Sequence, residues 1–109
     1  MPVTEFIKDA GGSVVSNNLM SGAAPLRWAF REESVNPVDN GWRFLSEIDD
    51  DSYINDPANM TVRDFNAVAE VEPAVLEIWA LPVGTDLQLA RLDGVLTWYD
   101  TTTNQPADL

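Results

Sequence analysis

The sequence contains no cysteine and no histidine among its 109 residues. The absence of Cys excludes disulfides, thiolate catalysis and Cys-ligated zinc sites, and it fits a reducing compartment. The absence of His excludes Ser-His-Asp and Cys-His catalytic arrangements, His-containing zinc motifs and the usual general base near neutral pH. Catalysis by this chain is therefore limited to carboxylates, hydroxyls, the single lysine Lys8 and hard metals bound through oxygen.

Positive charge is scarce. The sequence has six Lys and Arg residues and 18 Asp and Glu residues, which gives a formal net charge of -12 at pH 7. Such a field repels nucleic acid and anionic membranes and attracts basic surfaces. We therefore expect neither nucleic acid nor membrane as a partner, although the same charge also fits a role in solubility alone.

Long apolar runs are missing too. No stretch approaches the roughly 18 residues that a membrane-spanning helix needs, and the N-terminus has no basic leader followed by an apolar segment. These features predict a cytoplasmic protein. With 109 residues and 45% hydrophobic content, the chain fits one core. We expect a single α+β domain over residues 1–100 and a polar C-terminal tail over 101–109.

Alternating hydrophobicity predicts two hairpins. A short strand at 13–16 precedes strands at 26–31 and 41–46, which are joined by a long turn-rich loop. The side chains expected on the inner faces of these two strands are Leu26, Trp28, Phe30, Trp42 and Phe44. Further on, Asp93-Gly94 is a type I′ turn signal. It predicts a second hairpin over residues 87–99 with one face formed by Leu87, Leu89, Leu96 and Trp98.

Helical signals lie at the N-terminus and in the middle of the chain. Residues 3–10 are expected to form one or two helical turns with Phe6 and Ile7 turned inward. Thr61 and Asp64 fit a capping box and predict a helix starting there. Residues 74–81 fit a helix better than a buried strand, but both stay open. The fold class expected is α+β, with an antiparallel sheet built from hairpins and a helical segment packed on one face.

Carboxylates concentrate in residues 47–59, a segment predicted to be a surface loop. Clustered carboxylates suit Ca²⁺ or Mg²⁺, but the spacing here is not that of an EF-hand loop. We therefore predict no metal ligands and no cofactor, and we interpret the segment as a partner-facing surface. The residues assigned to it are Glu47, Asp49, Asp50, Asp51, Tyr53 and Asp56.

Four stretches carry a family resemblance: residues 15–17, 28–33, 37–44 and 53–59. They resemble a bacterial domain family long described as of unknown function and since grouped with the immunity proteins of polymorphic toxin systems. The likeness covers about residues 13–98, and its most specific part is an Asp-x-Gly-Trp-Arg-Phe block. The resemblance implies an α+β fold, a cytoplasmic protein that neutralises a toxin domain by binding it, and no catalytic residues.

The matched block consists of Asp39, Gly41, Trp42, Arg43 and Phe44. These residues suit a structural signature, with Gly where the backbone needs room and aromatics in the core. We favour that interpretation over a binding role.

Together these features predict a non-enzymatic binding module whose partner is a protein, and the resemblance suggests a basic toxin domain held by an acidic surface. The alternative is a small domain that binds a metal ion or a small ligand through its carboxylates. A carboxylate enzyme would require a concave pocket with convergent acids of perturbed pKa.

Overall fold

A six-stranded sheet organises residues 4–109, the part of the chain that the computed structural model describes. In chain order the strands are β1 (Gly12–Ser16), β2 (Leu26–Arg31), β3 (Asp39–Ser46), β4 (Met60–Asp64), β5 (Asp86–Leu92) and β6 (Val95–Asp100). Across the sheet they follow the order β4-β1-β3-β2-β5-β6. The β1–β3 pair is parallel, and every other pair of neighbouring strands is antiparallel.

Short helices connect the strands. They are α1 (Asn17–Met20), α2 (Asp51–Ile54), α3 (Phe65–Val71) and two 3₁₀ helices, Pro57–Asn59 and Pro73–Glu77. The α+β class predicted from the sequence is confirmed, with one parallel strand pair added to the expected antiparallel sheet. For residues 74–81 the sequence left helix and strand open. The structure has a 3₁₀ helix over Pro73–Glu77 in this region.

The core lies between one face of the sheet and the segment from α3 to Trp79. Four aromatic rings form a continuous series through it. Trp42 and Phe44 of β3 stack at 5.9 Å between ring centroids, Phe44 meets Phe65 of α3 at 6.0 Å, and Phe65 meets Trp79 at 4.6 Å. Edge-to-face and offset contacts of this kind contribute stability beyond the area they bury.

The β5–β6 hairpin has the geometry that its turn residues favour. Asp93 and Gly94 both have positive φ, 51° and 78°, as a type I′ turn requires. The turn sets a register that places Leu89 opposite Trp98, and both are buried in the core. Leu96 belongs to the same face but lies near the turn and is 38% exposed.

A bulge in β2 changes the faces predicted for that strand. Leu26 pairs with Ser46 whereas Trp28 pairs with Leu45, so one extra residue stands in β2 between the two pairs. The extra residue inverts the alternation. Leu26 and Ala29 therefore point into the core, and the prediction that Trp28 and Phe30 join them is wrong: both are half-buried on the opposite face.

The helix predicted to start at Thr61 starts later. Residues Met60–Asp64 form β4, which pairs with β1 along its whole length. Asp64 then caps α3 by accepting a hydrogen bond from the backbone N–H of Asn66 at 2.7 Å.

The prediction of helical turns over residues 3–10 is also wrong. From Thr4 onward, the described residues of this stretch form bends and a turn. Phe6 is 47% exposed, and Ile7 packs against the core. Residue 3 lies outside the described residues.

Beyond β6, the chain turns back along that strand. The backbone N–H of Ala107 donates to the carbonyl of Trp98 at 2.8 Å, and Pro106 forms a bridge with Tyr99. Within residues 4–109, none of the helices combines the length and the apolar character that crossing a bilayer requires.

Candidate partner-binding site

An ion pair organises the start of β3. Arg43 binds both carboxylate oxygens of Asp39, at 2.8 Å from Nη1 to Oδ1 and 2.9 Å from Nη2 to Oδ2, and its Nε donates to Glu32 at 3.0 Å. The Asp39 and Arg43 side chains are each 8% exposed, whereas Glu32 is 57% exposed. A bidentate ion pair that is almost fully buried holds both side chains in one geometry and keeps both groups charged.

Asp39 also shapes the preceding loop. Its Oδ2 accepts from the backbone N–H of Val35 and its Oδ1 from that of Gly41, both at 2.9 Å. The hydrogen bonds donated by Arg43 are the main reason that the pKa of Asp39 lies well below its usual range, since they outweigh the opposing effect of burial. The same contacts raise the pKa of Arg43.

Gly41 occupies a position that only glycine fits. Its φ is +85°, a region that L side chains rarely adopt. A Cβ placed there would collide with the carbonyl oxygen of Glu32, the residue whose N–H donates to the Gly41 carbonyl at 2.8 Å. Close approach of β2 and β3 and the left-handed conformation both require the glycine.

A buried amide joins the block to the neighbouring strand. Oδ1 of Asn40 accepts from the Trp42 backbone N–H at 2.8 Å and from the Ser13 hydroxyl at 3.1 Å, while its Nδ2 donates to the Ala10 carbonyl at 3.1 Å. Sequence reasoning assigned no role to Asn40 or Ser13. The position of Asn40 inside the matched block could have indicated a structural role for this residue, whereas nothing in the sequence pointed to Ser13.

In the acidic segment, Asp49 turns inward. It is 5% exposed, and its two oxygens accept from the Asn18 side chain at 2.8 Å and from the Ser46 backbone N–H at 2.7 Å. Burial raises the pKa of the Asp49 carboxyl, but hydrogen bonds outweigh it and the pKa is lowered. Asp49 therefore fastens the segment to α1 and β3 instead of facing solvent.

We expect Asp49→Ala to lower the free energy of unfolding by about 1–3 kcal/mol, because it leaves the buried N–H of Ser46 and the amide of Asn18 without their acceptor. Urea unfolding measures the change. Asp51→Ala is the matched control, since Asp51 is exposed in the same segment and exposed substitutions usually stay within about 0.5 kcal/mol. Equal effects of the two substitutions would contradict the role assigned to Asp49.

The other assigned acids are exposed, and two of them also cap helices. Asp50 accepts from the Tyr53 N–H at 2.8 Å at the start of α2, and Asp56 accepts from the Ala58 N–H at 3.0 Å at the start of a 3₁₀ helix. Glu47 is exposed, as is Asp51, and Tyr53 is half-buried. The segment predicted as a loop is thus partly helical, and it presents four carboxylates to solvent. Within residues 4–109, no group of three or more carboxylates is arranged to hold a metal ion.

A polar cavity of about 380 Å³ lies between the start of β5 and the C-terminal residues. Its lining includes three carboxylates, Asp86, Asp100 and Asp108. The carboxyls with lowered pKa values, Asp39 and Asp49, lie elsewhere and are held by structural hydrogen bonds. The shifted pKa values therefore reflect the fold and do not mark this cavity as a catalytic site.

These features define a small α+β domain. The buried carboxylates of Asp39 and Asp49 are hydrogen bonded within the fold, and a separate group of carboxylates faces solvent. The model of the immunity protein Imm33 domain matches residues 13–99, and the chain belongs to this family. The resemblance stated from the sequence is thereby confirmed. A search of curated proteins and a search of solved structures found no match. Membership gives the chain a role in toxin immunity, with a protein toxin as partner, and suggests that the role is not catalytic.

Proposed function

We propose that this domain confers immunity by binding a toxin domain directly, and that an acidic surface formed by residues 47–56 makes the first contact. The observation that carries the proposal is the group of solvent-facing carboxylates in that segment. They are Glu47, Asp50, Asp51 and Asp56. Acidic surfaces steer basic partners into place and raise association rates.

Along the chain, this surface has no basic residue close by. No Lys or Arg occurs between Arg43 and Arg63, and Arg43 is itself bound to Asp39 and Glu32. Arg27 and Arg91 line a cavity together with Glu47, but the five carboxylates of residues 47–56 outnumber these two bases. We therefore expect a negative field there, whose complement is a basic toxin surface.

The acidic surface is preorganised. Asp49 holds the segment to α1 and β3, and the caps formed by Asp50 and Asp56 fix two helical turns. Groups that are already ordered lose less entropy on binding. Tyr53, half-buried beside these acids, supplies the type of aromatic side chain that often anchors an interface.

The direct test is protection and copurification with the toxin encoded beside this gene. We expect cells that produce both proteins to survive, cells that produce the toxin alone to die, and the two proteins to elute together. A gene neighbourhood without a toxin, or protection without any complex between the purified proteins, would contradict direct binding.

Neutralising the acidic surface is expected to slow association. In the double variant Glu47→Gln/Asp51→Asn, we expect kon at low salt to fall by about threefold to tenfold and its salt dependence to flatten, while koff changes little. Stopped-flow or surface plasmon resonance at several ionic strengths measures both rates.

The matched control is Glu77→Gln/Asp93→Asn, which removes the same charge from two other exposed positions. Its kon should fall less. If both double variants slow association equally, net charge acts without regard to location and residues 47–56 have no special part.

A further inference from the structure

The three most exposed large hydrophobic side chains in residues 4–109 lie together. Val35, Val38 and Val62 are 78%, 70% and 69% exposed, and with Val14 they line an apolar cavity of about 70 Å³. Single exposed apolar residues are normal on protein surfaces, whereas contiguous exposed apolar patches are a common feature of interaction sites. These four residues are called the valine patch below.

The valine patch joins two strands and a loop. Val14 of β1 and Val62 of β4 are directly opposite each other in the antiparallel pair, and their side chains therefore share one face of the sheet. Val35 and Val38 come from the loop before β3, which folds over that face and completes the cavity.

Hydrogen bonds hold this loop in place. Asp39 accepts from the N–H of Val35 at 2.9 Å, Asn36 accepts from that of Val38 at 3.0 Å, and the Val38 carbonyl accepts from Gly12 at 2.7 Å. The exposed valines are therefore presented by a fixed framework, and the Asp39–Arg43 pair is part of it. A rigid apolar surface needs little ordering on binding.

We propose that the valine patch is the apolar centre of the toxin interface and receives an aliphatic side chain from a basic region of the toxin. The inference rests on the function proposed above. Charge complementarity favours this occupant. Glu33, two residues before Val35, is exposed, Asp39 and Glu32 together outnumber their single counterion Arg43, and the whole chain carries a net charge of -12. A second copy of this chain would bring the same charge and be repelled.

The patch and the acidic surface lie at opposite ends of β3. The strand runs from Asp39, beside the patch, to Ser46, just before residues 47–56, a distance of roughly 23 Å at about 3.3 Å per residue. A standard interface covers about 800 Å² on each partner, or about 30 Å across. An interface of that width is large enough to reach from one to the other, and in this proposal the acids set kon and the valines set koff.

The test is the affinity of the double variant Val35→Ser/Val62→Ser for the toxin domain encoded beside this gene, produced with a substitution that abolishes its toxicity. We expect Kd to rise about tenfold or more, through koff, with kon nearly unchanged. Val95→Ser is the control, because Val95 is also a β-strand valine and is 62% exposed. Val62→Thr, which keeps the branched shape, is the second variant and is expected to weaken binding with an unchanged melting temperature.

The outcomes separate the two proposals. A wild-type protein that binds the toxin, with patch variants that bind equally well, would overturn the valine patch and leave direct binding intact. A wild-type protein that does not bind would contradict both. Sedimentation provides the third readout: a wild-type dimer that Val62→Thr converts to a monomer would make the patch a self-association surface and overturn its assignment to the toxin.

Discussion

Gly41→Ala is expected to destabilise the domain by about 3 kcal/mol or more. The left-handed backbone at this position costs an L residue roughly 1–2 kcal/mol, and the added Cβ would in addition collide with the Glu32 carbonyl. Relief of the collision requires β2 and β3 to separate where Glu32 and Gly41 are hydrogen bonded. Because Arg43 and Asp39 lie beside this contact, we expect the ion pair to be disturbed as well.

Gly22→Ala separates the two causes. Gly22 has nearly the same φ, +82°, but no atom lies within 4 Å of a Cβ placed there. Its substitution should cost only the conformational part, about 1–2 kcal/mol. Urea unfolding of both variants measures the difference, and equal losses would show that the contact with Glu32 is not a constraint.

Sequence patterns over a few consecutive residues correctly predicted the buried face of β3 and the turn of the β5–β6 hairpin. The period-two pattern of β3 places Trp42 and Phe44 on one face, and both are fully buried. The Asp93-Gly94 turn determines the register of β5 and β6 because both residues accept positive φ. In each case the decisive chemistry lies within a few residues along the chain.

Non-local pairing explains the errors. The pattern at Thr61 and Asp64 satisfies a helix cap, but Met60–Asp64 finds its hydrogen-bond partners in β1, which is distant in sequence. The bulge in β2 likewise becomes visible only against β3. Neither pairing leaves a local signature, so the start of α3 and the orientation of Trp28 could not be read from alternation alone.

The candidate site shows the same limit. The sequence placed five acids in residues 47–56 without distinguishing among them, since all five are carboxylates in a polar segment. Only the fold turns Asp49 toward Asn18 and Ser46 and leaves the others exposed. The valine patch was equally hidden, because Val14, Val35 and Val62 come from three separate parts of the chain.

The Asp39–Arg43 pair carries the second large expected effect. Arg43→Met should lower the free energy of unfolding by about 3–5 kcal/mol, because Asp39, only 8% exposed, would keep its charge without a counterion. In Asp39→Asn/Arg43→Met no such charge is left, so the double variant should lose less than the sum of the two single losses. A double-mutant cycle by urea unfolding at neutral pH measures this coupling, and additive losses would contradict it.

Acid adds an independent readout of the same pair. The folded-state pKa of Asp39 is lowered, so its contribution is present above its unfolded-state pKa of about 3.9 and is lost as the pH falls toward the lower folded-state value. Wild-type stability should therefore decline more steeply below about pH 4 than that of Asp39→Asn. Parallel pH profiles would show that Asp39 is not held as an anion.

The double variant Asp39→Asn/Arg43→Met also tests whether the ion pair matters for binding. If the pair holds the loop that carries Val35 and Val38, the toxin affinity of the double variant should fall even under conditions where the variant stays folded.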